Sequence, residues 1–474
     1  MEFLRISNPG VAPIECFTVF GLSLTRDSAD RTGLSIGQFG SGSKFSIPLL
    51  LRFGINTVMC LGEKVVTPFG KKICIDDGIS STEATRLYYS VKEGENVSEI
   101  ETSSVLDFGK FDWTSVKMAC REFVSNAIDR CLREFGNYED VKISIVSVKN
   151  PEQIKGREGF TDIYIEATPD IISFYENIDT HFLHFRSSSI LAQKVLTKAP
   201  GSKPFPSFYK NGVLVRTIEQ VGNSLFNYNF GSEFILDESR NSSDYNCINL
   251  AGTSIATNLS DSQIRLLVKA IFENDNTLFE VAHIPLYTIK YNFTIEARER
   301  WEKVVNKALG SRVLTIIDPI ITTKLLAKKI EHVAIASSWF DVLSQLDIKT
   351  HISVLDSLET KGIDTIDPSE ETVNAFNNIY LWLNKNQVIQ TNKTDSSLPS
   401  IKEFVNNANA GEQARGFYDR DRHLIGIKKG ESGEQLLQTM LEEICHWITG
   451  SGDTSIDFQE FAFKVAVTAI KEQI

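Results

Sequence analysis

Residues 121–130 read Arg-Glu-Phe-Val-Ser-Asn-Ala-Ile-Asp-Arg. In a helix, steps of four and then three put Glu122, Asn126 and Asp129 on one stripe. Val116, Cys120, Phe123, Val124, Ala127 and Cys131 supply apolar positions around it, so such a helix can rest on a sheet and still offer polar groups to a ligand. Any one of the three residues alone reads more simply as part of a solvated helix face. A second segment, residues 36–46, reads Ile-Gly-Gln-Phe-Gly-Ser-Gly-Ser-Lys-Phe-Ser. Gly37, Gly40 and Gly42 let the backbone bend tightly and approach a ligand. The apolar run that follows can open a helix, whose first N–H groups suit a phosphate, and Lys44 adds positive charge there. The segment is neither a Walker loop nor the dinucleotide pattern GxGxxG. On glycine content alone it reads equally well as a surface loop. A third constellation lies at 441–450, Leu-Glu-Glu-Ile-Cys-His-Trp-Ile-Thr-Gly, where Glu442 and His446 stand four apart and Asp453 follows.

These residues need a folded frame, and the composition supports one. In 474 residues, 42% are hydrophobic and 23% charged, which excludes a disordered or collagen-like chain. The net charge of -12 argues against a surface coated with nucleic acid, though a local basic groove is compatible with it. The seven cysteines, Cys16, Cys60, Cys74, Cys120, Cys131, Cys247 and Cys445, form no CxxC pair. Zinc ribbons and thioredoxin-type motifs are therefore excluded, and the set fits reduced thiols in a cytoplasmic setting. The N-terminus does not read as a signal peptide. The longest apolar-rich stretch, 45–58, is broken by Pro48, Arg52, Gly54 and Asn56, so no membrane partner is expected.

The elements expected to position the candidates are as follows. Short strands are expected at 56–60, 72–75, 87–91, 141–148 and 160–167, with a long helix over 113–135 that Gly136 stops. Further strands are expected at 213–215, 234–236 and 278–284. A helix over 261–272 is capped by Ser260 and carries Ile264, Leu267, Val268 and Ile271 on its apolar face. Residues 294–383 read as mostly helical, and polar residues 387–400 as a linker. No repeat of fixed period appears.

The wording of residues 36–46 resembles the second glycine box of the Bergerat-fold (GHKL) ATPases, closest to the heat-shock chaperones and the microrchidia proteins. Ser7-Asn8-Pro9-Gly10-Val11-Ala12 resembles their first glycine box, with a short helix-like stretch and Gly21-Leu22-Ser23 after it. Two departures stand out: Asn8 replaces an adenine-binding Asp, and Ala12 replaces a glycine. An Asn carbonyl still accepts a hydrogen bond from the adenine amino group. ExxxNxxD at Glu122, Asn126 and Asp129 resembles the family's N box. The resemblance implies that Glu122 is the general base, that Asn126 holds Mg²⁺, and that Asp129 supports the nucleotide. In the family the N box precedes both glycine boxes, so the order here implies a circular permutation, which folds with neighbouring termini tolerate. Residues 208–215 and 234–240 resemble the family's transducer domain. There Arg240, with Lys210 in reserve, would reach the γ-phosphate. Either cation alone reads equally as a surface charge paired with Asp237 or Glu238.

The C-terminal segment resembles a zincin-like domain in which Glu442 takes the place of the first ligand. Residues 423–427 resemble the edge strand before the zincin helix. The resemblance implies a possible vestigial zinc site at Glu442, His446 and Asp453 with Glu443 as base; a retained fold without a working site is the favoured reading. The expected class is α/β (α+β). A permuted Bergerat domain would occupy 1–168, a transducer-like domain 169–293, a mainly helical connector 294–400, and the zincin-like domain 401–474. The expected activity is Mg²⁺-dependent ATP binding with slow hydrolysis, coupled to shape change or homodimerisation. The rivals are a nucleotide-gated interaction or DNA-clamping module that does not hydrolyse, and a metalloprotease regulated by its N-terminal domains. The macromolecular client, protein or DNA, is not legible.

Overall fold

A computed structural model describes residues 1–19, 36, 42–76, 81–107, 109–199, 202–237, 240–360, 363, 365–389, 398–405, 415–420, 422–450 and 456–473. Gly37, Gly40 and Asp453, with Gly21-Leu22-Ser23, lie outside the described residues. The protein is α+β and divides into two compact units, Met1–Trp301 and Glu302–Ile474. Among the described residues no helix is long and apolar enough to cross a membrane.

The first unit opens with a seven-stranded sheet in the order β5-β4-β3-β2-β7-β1-β6. Its strands are β1 (Glu2–Pro9), β2 (Thr57–Leu61), β3 (Lys64–Asp76), β4 (Ser81–Glu93), β5 (Asn96–Val105), β6 (Lys142–Ser147) and β7 (Phe160–Glu166). All neighbours run antiparallel. The helices here are α1 (Glu15–Thr18), α2 (Gly42–Arg52), α3 (Val116–Phe135), α4 (Pro169–Glu176) and α5 (Ile178–His181). Alternation on β1 sends Leu4 and Ile6 to the helical side, where they join Ile163 and Ile165 of β7. Ile47, Leu49 and Leu50 of α2 and Phe123, Val124, Ala127 and Ile128 of α3 complete that core. Ser115 caps α3 by accepting from Lys117 N–H, and Gly136 ends it in the left-handed conformation, φ 72°. The other face of the sheet holds a small cluster of Val58, Cys60 and Ile154.

A second, four-stranded sheet follows in the order β10-β9-β11-β8. It comprises β8 (Val195–Thr197), β9 (Ser207–Lys210), β10 (Val213–Thr217) and β11 (Phe226–Phe230). The helices after it are α6 (Asp244–Asn258), α7 (Asp261–Phe272), α8 (Phe279–Ala282), α9 (Leu286–Asn292) and α10 (Ile295–Leu309). Helix α7 has the expected cap: Ser260 accepts from Gln263 N–H, and the Gln263 side chain answers at Ser260 N–H. The 234–236 strand is absent. Phe234 is buried edge-on to Phe230 at 5.2 Å, and its carbonyl accepts from Lys210 Nζ at 2.7 Å instead of joining a ladder. The expected 278–284 strand is mainly helical. Phe279, Glu280 and Val281 are buried in succession, which alternation cannot achieve. Fully buried Glu280 accepts from Ser224 Oγ, Leu225 N–H, Phe226 N–H and Tyr228 OH, tying α8 to β11.

In the second unit, β12 (Val313–Ile316) pairs parallel with β13 (His332–Ile335) across α11 (Pro319–Ala327), so the largely helical stretch carries a βαβ crossover the pattern did not show. Helices α12 (Ser337–Leu343), α13 (His351–Thr360) and α14 (Glu370–Lys385) follow. The last sheet runs β14-β15-β17-β16, from β14 (Thr365–Ile366), β15 (Ser400–Phe404), β16 (Gly416–Asp419) and β17 (Leu424–Lys428). It is followed by α15 (Gly433–Thr449) and α16 (Ile456–Gln473). Strand β17 is internal, between β15 and β16, and not the edge strand expected at 423–427.

Candidate functional site

Helix α3 is the spine of the site. Its stripe faces Gly42, the first residue of α2: a Cβ placed on Gly42 would fall 1.8 Å from Glu122 Oε2. Only a residue without a side chain lets the helix start sit against that carboxylate. Two turns further along, Asp129 is buried and accepts from Ile36 N–H at 2.7 Å. Asp129 thus holds the backbone at the head of the glycine-rich segment. Near the C-terminal end of α3, Gly10 has φ +86° and a would-be Cβ 2.3 Å from Glu134 Oε2 and 2.9 Å from Arg130 Nε. The turn after β1 is stapled by Thr161, which donates to Gly10 carbonyl and accepts from Ala12 N–H, both at 2.8 Å.

From the far side, β9, β10 and the residues Leu236 and Arg240 close onto the same stripe. One pocket is lined by Arg121, Glu122, Ser125 and Asn126 of α3, by Lys210, by Val213, Leu214 and Val215, and by Ile36, Leu236 and Arg240. Four expected site residues, Glu122, Asn126, Lys210 and Arg240, therefore meet. Arg240 pairs with Glu122: its Nε lies 3.3 Å from Oε1 and its Nη2 3.4 Å from Oε2, while Glu238 lies outside the described residues. The backbone is shaped for this, since Arg240 adopts φ 63° and its N–H donates to Asp237 carbonyl. A left-handed non-glycine residue costs about 1–2 kcal/mol, and such strain persists only where the surroundings over-determine it. Lys210 is buried; burial, with Arg240 nearby, pulls its pKa below the ordinary lysine value. Asn126 is exposed on the lining.

Asn8, Gly10, Asp129 and Lys44 are not part of that lining. Asn8 is buried on β1, and its Nδ2 donates to Pro9 carbonyl at 2.7 Å, which leaves Oδ1 as the acceptor. Lys44 is buried in α2, where burial lowers its pKa and Cys16 opposes the shift.

One residue was missed. Arg121 precedes Glu122 in the same motif, and a cation next to the central carboxylate was the available signal. Its side chain is 13% exposed, and its Nη2 lies 3.8 Å from Glu122 Oε1 with no hydrogen-bond acceptor. Burial lowers its pKa; Glu122 opposes this and Arg240 adds to it. The charged groups on the lining are thus three cations, Arg121, Lys210 and Arg240, and one carboxylate, Glu122. Such a site favours an anion carrying several charges. The enclosed space is about 20 Å³, room for a single water. Binding a larger anion therefore requires the lining to open.

At the C-terminal constellation, Glu442 is exposed, whereas Glu443 is buried with its Oε1 2.8 Å from where a Cβ on Gly416 would lie. His446 lies over Phe458, ring centroids 4.6 Å apart. Among the described residues no group of three or more His, Cys, Asp or Glu side chains is placed to hold a metal.

No family model matches the chain, and no curated protein matches it.

The Gly42 contact gives a first expected result. Gly42→Ala drives a methyl into the Glu122 carboxylate, so either α2 or Glu122 must move. Overpacking of this kind costs about 1–3 kcal/mol. If the site takes the nucleotide that the sequence resemblance implies, calorimetry should show at least a ~10-fold loss of affinity, with a smaller fall in melting temperature than a core truncation gives.

Proposed function

We propose that the chain binds ATP with Mg²⁺ and hydrolyses it slowly, in a permuted Bergerat-type site completed by a transducer-like second sheet. The observation that carries the reading is the meeting of Glu122, Asn126, Lys210 and Arg240 on one lining, with the start of α2 against Glu122. Three cations facing one carboxylate suit a polyphosphate better than a neutral ligand. The start of α2 against Glu122 brings the positive end of a helix dipole to the same site. Phosphoryl transfer needs positioning and charge neutralisation more than covalent chemistry.

Glu122 is the group placed to take a proton from the attacking water. Arg240 and Lys210 meet the terminal phosphate, and Arg121 adds charge beside them. Asp129 fixes Ile36 and thereby the start of the glycine-rich segment. Asn8 Oδ1 is the acceptor offered to the adenine amino group. The exposed Asn126 amide beside a carboxylate is a donor set that Mg²⁺ accepts; once bound, the ion would neutralise charge on the phosphates. Shape change follows from the lining, which must open for the ligand; homodimerisation would be its output.

The Arg240–Glu122 pair also favours a second reading, a nucleotide-gated interaction or DNA-clamping module without turnover, because the carboxylate is engaged as it stands. The test is calorimetric titration of the full chain with ATP, ADP and GTP, with and without Mg²⁺. ATP is expected to bind most tightly, strengthened by Mg²⁺ and at least ~10-fold ahead of GTP. Equal binding of ATP and GTP would remove Asn8 from its role, and no binding of any nucleotide would remove the reading altogether. A metalloprotease remains a separate proposal, resting on Glu442, His446 and Asp453 alone; zinc analysis of purified protein tests it.

A further inference from the structure

We propose that a groove on the outer face of the seven-stranded sheet is a phosphate-binding site. Its side chains come from the residues of β1 that alternate with the core positions Leu4 and Ile6. Arg5 pairs across to Ser144 and Ser7 to Lys142 on β6, while on β7 Ser7 faces Asp162 and Pro9 faces Phe160. The groove measures about 420 Å³, within the range of small-molecule sites.

Its floor is organised by Asp162, which is only 1% exposed. Asp162 Oδ1 accepts from Arg5 Nε at 3.2 Å and Nη2 at 2.9 Å, and from Arg157 Nη2 at 3.3 Å. Arg157 Nη2 also donates to Ser7 Oγ at 2.9 Å, and its guanidinium carbon lies 3.5 Å from the Phe160 ring centre. Both guanidiniums are thus fixed before any ligand arrives, while Arg5 keeps 29% and Arg157 46% of its side chain exposed. A purely structural role would need one guanidinium to neutralise Asp162. The groove has two, with Lys142 across from Ser7, against Asp162 and the lining Asp140. Three cations and two carboxylates leave one positive charge, which selects an anion.

Held guanidinium forks suit phosphate and carboxylate oxygens. Phosphate fits better here because donors converge from β1, β6 and the 157–160 turn, and a tetrahedral anion can meet three directions where a planar carboxylate meets two. The phosphate could belong to a small phosphorylated molecule or to a nucleic-acid backbone, and the test separates them. The full chain is titrated with inorganic phosphate and, separately, with a short single-stranded oligonucleotide, in parallel with Ser144→Glu. That variant adds a negative charge to the groove across from Arg5 and changes neither Asp162 nor Arg157. The expected result is saturable binding of one of the two probes, weakened at least 10-fold by Ser144→Glu and several-fold by Arg5→Lys, which keeps charge but loses the fork. Phosphate binding names the small-molecule source and oligonucleotide binding alone names the backbone. Failure of both probes to bind, or equal binding by the parent chain and Ser144→Glu, overturns the proposal. Calorimetry with ATP on Ser144→Glu keeps this result separate from the nucleotide pocket, whose lining contains none of these residues.

Discussion

Glu122→Gln should abolish ATP turnover while ATP still binds. The substitution keeps shape and volume beside Gly42, where a Cβ would already collide with the side chain, so the α2–α3 approach survives. What it removes is the ability to take a proton, and general-base catalysis contributes about 100-fold to 10,000-fold. The loss in steady-state phosphate release should therefore be at least ~100-fold. Affinity should hold or rise, because a neutral amide releases Arg240, which the carboxylate now engages through Nε and Nη2. Glu122→Ala is the harsher variant. It leaves Arg121 and Arg240 largely buried around an empty place, and removing one partner of a buried charge pair costs about 3–5 kcal/mol. A large fall in melting temperature for Ala, with little for Gln, separates the structural share of Glu122 from its chemical one. Undiminished turnover in the Gln variant would exclude it as the base. A parent chain that binds ATP and never turns it over would instead favour the gate.

The helical part of this site was legible because its signals are local. A period of three and four marks α3, and Ser115 and Gly136 mark its ends. Ser260 and Gln263 do the same for α7. The strands were read less completely. In β3 only 72–75 is expected, beyond Pro68 and Gly70, yet the strand runs through both. It can do so because β2 pairs only with residues 64–66, so that beyond them Pro68 needs to satisfy the β4 side alone. Strand β5 is polar, with Thr102 and Ser104 its buried positions, and carries no hydrophobic alternation to find. In sequence β1 shows only the glycine turn at its end, although it lies between β6 and β7 and sets Asn8 and Arg5 on opposite faces. Non-local charge placement was the least legible. Arg121 and Arg240 are 119 positions apart and share one carboxylate only because β9 and β10 close onto α3.

That closure rests on a junction with its own pH dependence, and acid should open it. Between α4 and β8 the chain carries His181 and His184 on either side of Phe182, which is fully buried and bridges Val213. Leu183 N–H donates to Gly212 carbonyl, and Tyr209 OH to Thr180 carbonyl. His184 is buried, edge-on to Tyr138 at 4.9 Å, and its Nδ1 has no hydrogen-bond partner. A Cβ on Gly212 would sit 2.8 Å from its Cε1, which leaves no room for a hydrating water on that side. Burial pushes its pKa down to about 4 from 6.5. His181, stacked on Phe174 at 4.8 Å, also falls to about 4, through burial and then repulsion from Lys117, Lys203 and Arg121, with Asp179 opposing. In both cases the folded state holds the neutral ring, while the unfolded chain protonates near 6.5. The stability they contribute is complete above pH 6.5 and is lost as pH falls toward 4, because unfolding takes up protons throughout that window. A shift of this size corresponds to about 3 kcal/mol for His184, and to less for the more exposed His181. Urea midpoints of the parent should fall steeply from pH 6.5 to 4. His184→Leu, which fills the same apolar niche and cannot titrate, should flatten the slope by close to one proton while costing little at pH 7.5. Parallel curves for the two proteins would show that the junction does not sense acid. If they diverge, nucleotide affinity should fall over the same window, since Lys210 and Val213 of the lining flank Gly212, and both Gly212 and Val213 bond to this junction.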